Sequence, residues 1–171
     1  MDKDLNENAI YLAGVIGNPI AHSKSPKLHN YWLSKYKING FYIPFSVTTE
    51  NLETSIKSLM ALGFSGVNVT IPHKTNVLSF ADSITDRASL IGAANTLYFS
   101  KRGKIHADNT DGYGFIQNII DEIPDYDFYD KTALIYGAGG SARAIASALL
   151  SNGVKEVGIT NRTRSKAQII S

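Results

Sequence analysis

Residues 132–142 leave this chain few ways to fold. A short apolar strand, residues 132–136, runs straight into Gly137-Ala-Gly-Gly140 and then into an alanine-rich helical segment, residues 141–150. Gly137, Gly139 and Ala142 satisfy the pattern G-x-G-x-x-A. The first glycine permits a tight turn, the second lets the backbone approach a pyrophosphate, and the small third position lets helix and strand pack closely. The helix N-terminus then faces the anion with its free N–H groups and its dipole. Gly153 ends the helix and residues 157–160 return as a second strand. A dinucleotide-binding turn and an ordinary tight strand-to-helix turn both fit the glycines; the strand–turn–helix–strand context favours the first.

The end of that second strand bears on which dinucleotide. An NAD site usually places an Asp or Glu there to accept from the ribose 2′-hydroxyl. This chain has Asn161-Arg162-Thr163-Arg164 instead, which offers cations and a hydroxyl and no carboxylate. Arginine forks suit a phosphate dianion, so NADP is the expected cofactor over the alternative of a solvated basic loop.

The first two thirds of the chain alternate strands with helices. Residues 10–16 read as a buried strand running into Gly17-Asn18-Pro19, followed by a helix over 26–36 with Ser25 as N-cap and Pro26 in its first turn. Residues 41–47 form a second strand, whose Pro44 argues for a sheet edge or a bulge rather than the middle of a sheet. Leu52, Ile56, Leu59 and Met60 mark a helix capped near Thr49 and stopped by Gly63. A third strand over 66–71 is cut off by Pro72, with short helices expected at 74–80 and 86–91. Residues 94–99 and 104–107 flank Lys101-Arg-Gly103 as a hairpin, and a helix follows over 112–122. The turn-rich, acidic residues 123–130 are the expected boundary. The fold class is therefore α/β: a domain over 1–122 with a mixed sheet flanked by helices, then a partial Rossmann domain over 123–171.

Three polar segments at expected strand ends are candidates for a site. In Gly17-Asn-Pro-Ile-Ala-His-Ser-Lys-Ser25, Ser25 at a helix start favours a carboxylate and Ser23 adds a second hydroxyl; a plain N-cap is the other reading of Ser25. In Asn68-Val-Thr70-Ile-Pro-His-Lys74, Asn68 and Thr70 share one face of the strand, and Lys74 lies just past its end. A lysine there is either a solvated charge or an acid/base, since burial readily depresses a lysine pKa. In Asp108-Asn-Thr-Asp111-Gly112, Asp111 is either a helix cap or a functional carboxylate, and Asn95 is either a sheet-end polar residue or a ligand contact. His22, His29, His73 and His106 show no metal-ligand spacing and read as structural; no metal is expected.

Composition narrows the partners. A net charge of +2 and 19% charged residues give no basic excess of the kind nucleic-acid binding needs. The chain has no cysteine, so disulfides and thiolate chemistry are excluded. The polar, acidic opening MDKDLNENA lacks a secretory leader, and no apolar run approaches the ~20 residues that cross a bilayer. A cytoplasmic protein acting on a small molecule, with neither membrane nor nucleic acid as partner, is expected.

Taken in order, Gly17-Asn-Pro-Ile-Ala-His-Ser-Lys-Ser-Pro26, Asn68-Val-Thr-Ile-Pro-His-Lys74, Gly92-Ala-Ala-Asn-Thr96, Asp108-Asn-Thr-Asp-Gly112, Gly137-Ala-Gly-Gly-Ser141 and Asn161-Arg-Thr163 closely resemble the shikimate dehydrogenase family. The resemblance runs from about residue 11 onward. It implies an NADP-dependent oxidoreductase that reduces 3-dehydroshikimate to shikimate in aromatic amino-acid biosynthesis. It implies that Ser23 and Ser25 bind the substrate carboxylate, and that Asn68, Thr70, Asn95 and Asp111 hold the ring hydroxyls. Lys74 would be the acid/base, paired with Asp111. Gly137, Ala138, Gly139, Gly140 and Ser141 would cradle the pyrophosphate. Asn161, Arg162, Thr163, Arg164, Ser165 and Lys166 would surround the 2′-phosphate, with Asp86 near the cofactor.

The chemistry suits these residues. Hydride delivery to a ketone leaves an alkoxide, which needs a cationic proton donor nearby, and Lys74 supplies both charge and proton. From Lys131 onward the sequence holds only two strands, one helix and the start of another, so the chain is expected to be a C-terminally truncated form of the family. A quinate/shikimate dehydrogenase using NAD and a catalytically silent substrate-binding fragment are the competing expectations. Monomer and homodimer both stay open.

Overall fold

The computed structural model describes residues 9–170; the polar opening read for a leader lies outside them, as does residue 171. The chain divides into two compact units. Among the described residues, the first takes 9–84 and 95–107, the second 85–94 and 108–170.

The first unit is a six-stranded mixed sheet. Its strands are β1 (Tyr11–Gly17), β2 (Gly40–Ser46), β3 (Gly66–Val69), β4 (Ser83–Ile84), β5 (Thr96–Phe99) and β6 (Ile105–Asp108), in the order β2-β1-β3-β5-β6-β4. β1 runs parallel to both β2 and β3, β3 is antiparallel to β5, and β4 is parallel to β6. β2 lies at the edge, where Pro44 costs no interior ladder bond. Helices α1 (Ser25–Lys35) and α2 (Leu52–Ala61) connect the three parallel strands. Of the four apolar positions that marked α2, Leu52, Ile56 and Leu59 are buried and Met60 is half-buried, while α1 buries none of its residues fully.

The second unit begins with α3 (Asp86–Ile91), whose start is capped by Thr85: its hydroxyl accepts from the Ala88 N–H. It continues with α4 (Asp111–Glu122), β7 (Thr132–Tyr136), α5 (Gly140–Ser151), β8 (Glu156–Thr160) and α6 (Arg164–Gln168). β7 and β8 pair in parallel around the α5 crossover, the βαβ arrangement expected from the glycine turn. Ile116, Phe128, Leu149 and Val154 form its core, so α4, the segment before β7 and α5 share one apolar cluster.

Several local readings shift. Ser25 and Asp111 are not caps: each is the first residue of its helix, and the cap positions fall to Lys24 and Thr110, neither with a side-chain capping bond. β3 stops at Val69, although Thr70 still donates its N–H to the Ile16 carbonyl at 3.0 Å. The helix expected over 74–80 is a single 3-10 segment, Asn76–Phe80, with only Val77 buried; one apolar anchor holds a short turn, not an α-helix.

Candidate active site

Parallel pairing of β1 with β2 and β3 carries the carboxyl ends of all three strands to one side of the first unit, where loops of α/β sheets gather their ligands. The loops there are stitched by backbone bonds. The Asn18 N–H donates to the Ile71 carbonyl at 2.9 Å, and the Val47 N–H donates to the Gly17 carbonyl at 3.1 Å. The loop carrying Ser23 and Ser25 therefore begins beside the loop carrying Thr70 and Lys74. Ser23 Oγ accepts from the Ser25 N–H at 3.3 Å, so the two serines form one local unit at the head of α1. Ser23, Ser25, Thr70 and Lys74 are all half-buried.

Asn68 and Asn95 are brought together. Asn68 pairs with Thr96 across β3 and β5, and its Nδ2 donates to Thr96 Oγ1 at 3.2 Å and to the Asn95 carbonyl at 3.4 Å. Thr96 Oγ1 in turn donates to Asn95 Oδ1 at 2.9 Å. The far end of this chain is Tyr42, which sequence reasoning did not single out. Its hydroxyl donates to Asn68 Oδ1 at 2.7 Å. Burial pushes the Tyr42 hydroxyl up to about 12, so it stays protonated and stays a donor at neutral pH. Asn30 locks the Tyr42 backbone by two 2.9 Å bonds, and His29 stacks on its ring at 4.1 Å. Nothing in the local pattern of β2 announces this role.

A cavity of about 450 Å³ opens on the α1 side of the sheet, walled by Trp32, Tyr36, Phe41, Tyr42, Leu97 and Tyr98 among others. Of the expected site residues only Asn68 reaches it. Its apolar walls offer no cation for a carboxylate, and it does not coincide with the loop cluster at the strand ends.

In the second unit, Asp111 opens α4 and is half-buried. Its position is set by Asn109, which is only 1% exposed. Asn109 Nδ2 donates to the Ala93 carbonyl at 2.8 Å, and Asn109 Oδ1 accepts the Asp111 N–H at 3.0 Å. One residue earlier, Asp108 accepts from the Arg87 guanidinium through Nε at 2.6 Å and through Nη2, and from Thr85 Oγ1 at 2.7 Å. Arg87 first, then the Thr85 hydroxyl and the Asn109 N–H, hold the Asp108 carboxyl down to about 2. Asp86 beside them is exposed in the first turn of α3.

Asp111 also meets the glycine turn: Ser141 Oγ, in the first turn of α5, donates to Asp111 Oδ2 at 3.4 Å. Gly137 takes φ +120°, a conformation that favours glycine, and its N–H donates to the Thr160 carbonyl at 2.7 Å. A Cβ built on Gly137 or on Gly139 would meet nothing within 4 Å, so both glycines face open space at the head of α5. That open cradle, with a 12-residue helix behind it, fits a pyrophosphate. At the end of β8, Asn161 Nδ2 donates to the Thr163 carbonyl at 2.9 Å, and residues 162–166 are exposed. Arg162, Arg164 and Lys166 present three cations there with no acidic residue from 160 onward, which suits a ribose 2′-phosphate. Lys74 belongs to the first unit and Asp111 to the second. No cluster of three or more His, Asp or Glu able to hold a metal occurs among the described residues, and no helix there is long and apolar enough to cross a membrane.

Comparison with known proteins places these features. Residues 15–97 match the shikimate dehydrogenase substrate binding domain, and residues 118–171 match shikimate/quinate 5-dehydrogenase. A shikimate dehydrogenase (NADP(+)) of Ruegeria sp. (strain TM1040) is 52% identical over 167 residues, which is 98% of this chain and 60% of the relative. A shikimate dehydrogenase crystallised with NADP+ superimposes with a TM-score of 0.86 at 41% identity, covering 94% of this chain and 54% of that one. The shikimate dehydrogenase of Aquifex aeolicus gives a TM-score of 0.87 at 36% identity, over 94% of this chain and 59% of that one. The chain thus spans less than two thirds of the length of each.

Proposed function

The chain belongs to the shikimate dehydrogenase family, and from that premise we propose that the protein catalyses the NADP-dependent reduction of 3-dehydroshikimate to shikimate. The observation that supports it most is the contact of Asp111 with Ser141, which sets a carboxylate of the expected substrate site at the head of the helix that follows the glycine turn. NADP supplies the hydride when bound. Gly137, Ala138, Gly139, Gly140 and Ser141 hold its pyrophosphate, and Asn161, Arg162, Thr163, Arg164, Ser165 and Lys166 hold its 2′-phosphate, with Asp86 nearby. Ser23 and Ser25 bind the substrate carboxylate, while Asn68, Thr70 and Asn95 orient the ring hydroxyls.

Lys74 donates the proton that neutralises the developing alkoxide, and Asp111 holds the ammonium and orients the hydroxyl once it has formed. In this reading residues 1–122 carry the substrate and residues 123–171 the first part of the cofactor site. The protein acts in the cytoplasm as a monomer or homodimer.

The test is NADPH oxidation by the purified protein in the presence of 3-dehydroshikimate. We expect Lys74→Ala to lower turnover by about a thousandfold while KM stays within a few-fold, the pattern of a lost transition-state interaction. We also expect kcat/KM for NADP to exceed that for NAD. Near-normal turnover of Lys74→Ala removes that residue from its role, and a preference for NAD overturns the cofactor assignment. Shikimate binding without NADP binding in calorimetry marks a silent binding fragment.

A further inference from the structure

His73 is fully buried, at 0% exposure, directly before Lys74. Its Nε2 lies 2.7 Å from the Val47 carbonyl. A carbonyl only accepts, so Nε2 carries a proton, and in the neutral ring Nδ1 is then a bare lone pair. Nδ1 has no hydrogen-bond partner among the described residues. An apolar side chain of similar size would fill the slot without leaving a buried nitrogen unpaired, so packing alone does not account for an imidazole here.

The bond to Val47 accounts for it. Val47 is the hub of the strand ends: its N–H holds the Gly17 carbonyl at 3.1 Å and its carbonyl holds the His73 ring. The His73 N–H donates to the Thr70 carbonyl at 2.9 Å, and its own carbonyl accepts from the Val77 N–H at 3.1 Å. Backbone and ring together fix the residue on which the Lys74 backbone is built. A lysine on four flexible methylenes delivers a proton reliably only from a stationary root.

We propose that His73 is a positioning residue for Lys74, acting through the Val47 carbonyl as the Nε2–H tautomer. The proposal rests on Lys74 being the acid/base, and its test separates the two. His73→Leu keeps an apolar filling and loses the donor; His73→Gln returns an amide N–H near the place of Nε2. In the protein oxidising shikimate with NADP, His73→Leu is expected to lower kcat about 10- to 100-fold, since a misplacement of about 1 Å costs up to that much. KM for shikimate, and its Kd by calorimetry, should stay within about threefold, and His73→Gln should recover turnover to within about fivefold of the wild type.

The proposal is overturned if folded His73→Leu turns over within about threefold of the wild type, if His73→Gln is impaired as much as His73→Leu, or if shikimate affinity falls in step with kcat. Nitrogen NMR of the wild-type imidazole decides the anchor without any turnover: a protonated Nε2 and bare Nδ1 support it, and the reverse tautomer overturns it even where His73→Leu does not fold. A wild-type protein with no shikimate oxidation but the Nε2–H tautomer instead refutes the function on which the proposal rests.

Discussion

Gly112 and Gly114 lie two residues apart in α4, and replacing each by alanine should move stability in opposite directions. A Cβ on Gly112 would stand 2.7 Å from the Ala144 carbonyl oxygen and 2.9 Å from the Ala148 Cβ of α5. Ordinary contact begins near 3.4 Å, so α4 must withdraw from α5 by roughly half an ångström or more. The obstacle is helical backbone, which no rotamer change can relieve. Overpacking of this kind costs about 1–3 kcal/mol, and a clash with backbone belongs at the upper end. Alanine returns about 1 kcal/mol of helix propensity, leaving Gly112→Ala destabilised by about 2 kcal/mol. A Cβ on Gly114 meets nothing within 4 Å, so Gly114→Ala keeps only the propensity gain, about 0.5–1 kcal/mol.

At about 2–4 °C per kcal/mol for a chain of this size, Gly112→Ala should lower Tm by roughly 4–8 °C and Gly114→Ala should raise it by roughly 1–4 °C. Thermal unfolding followed by circular dichroism reads both. The result that refutes the close-packing argument is a Gly112→Ala protein as stable as Gly114→Ala. Because α4 begins at Asp111, Gly112→Ala should also loosen the Ser141 contact, and Gly114→Ala should leave turnover unchanged.

Two further outcomes follow from the polar groups at the start of the second unit. The Asp108 carboxyl, held down to about 2 by Arg87, is ionised more readily folded than unfolded; its contribution is whole above the usual carboxylate range, near 4, and is lost as pH falls from there toward 2. Arg87→Gln should therefore lower Tm at pH 6 and lose less than the wild type between pH 4 and 2, and an equal Tm gap at both ends of that range counts against the pair. Asn109→Ala leaves the Ala93 carbonyl and the Asp111 N–H without their partner and should cost about 2 kcal/mol in urea unfolding; an unchanged midpoint would show that the buried amide bears no weight.

What the sequence discloses and what it hides divide along the range of the interaction. The glycine turn, the edge placement of β2 and the apolar stripe of α2 rest on chemistry within a few residues, and each appears where its pattern put it. The sequence pattern extends β3 past Val69 because Thr70 and Ile71 continue the alternation after pairing has ended. A two-residue strand such as β4 has no period to detect. Ser25 and Asp111 each fall one position inside the helix they were expected to cap, and only the observed bonds settle such an offset. Tyr42, His73 and Asn109 act through partners 26, 26 and 16 residues away, and no local pattern carries that information.

The two residues expected to carry the chemistry share one design rule. Lys74 and Asp111 are charged and half-buried, and neither can be immobilised by deep burial without a desolvation penalty on its ionised form. In each case rigidity is moved to a buried polar neighbour, His73 one residue before the lysine and Asn109 two residues before the aspartate. Each neighbour spends its side chain on a backbone carbonyl of another segment, Val47 or Ala93. A carbonyl belongs to the framework and cannot change rotamer, so the anchor inherits the stiffness of the sheet or helix behind it. The ionisable group stays half-open to solvent while its root is fixed from behind. That division explains why the loops at the strand ends combine half-buried ionisable side chains with a buried histidine and a buried asparagine. A search for the site by charge alone finds the first kind and passes over the second.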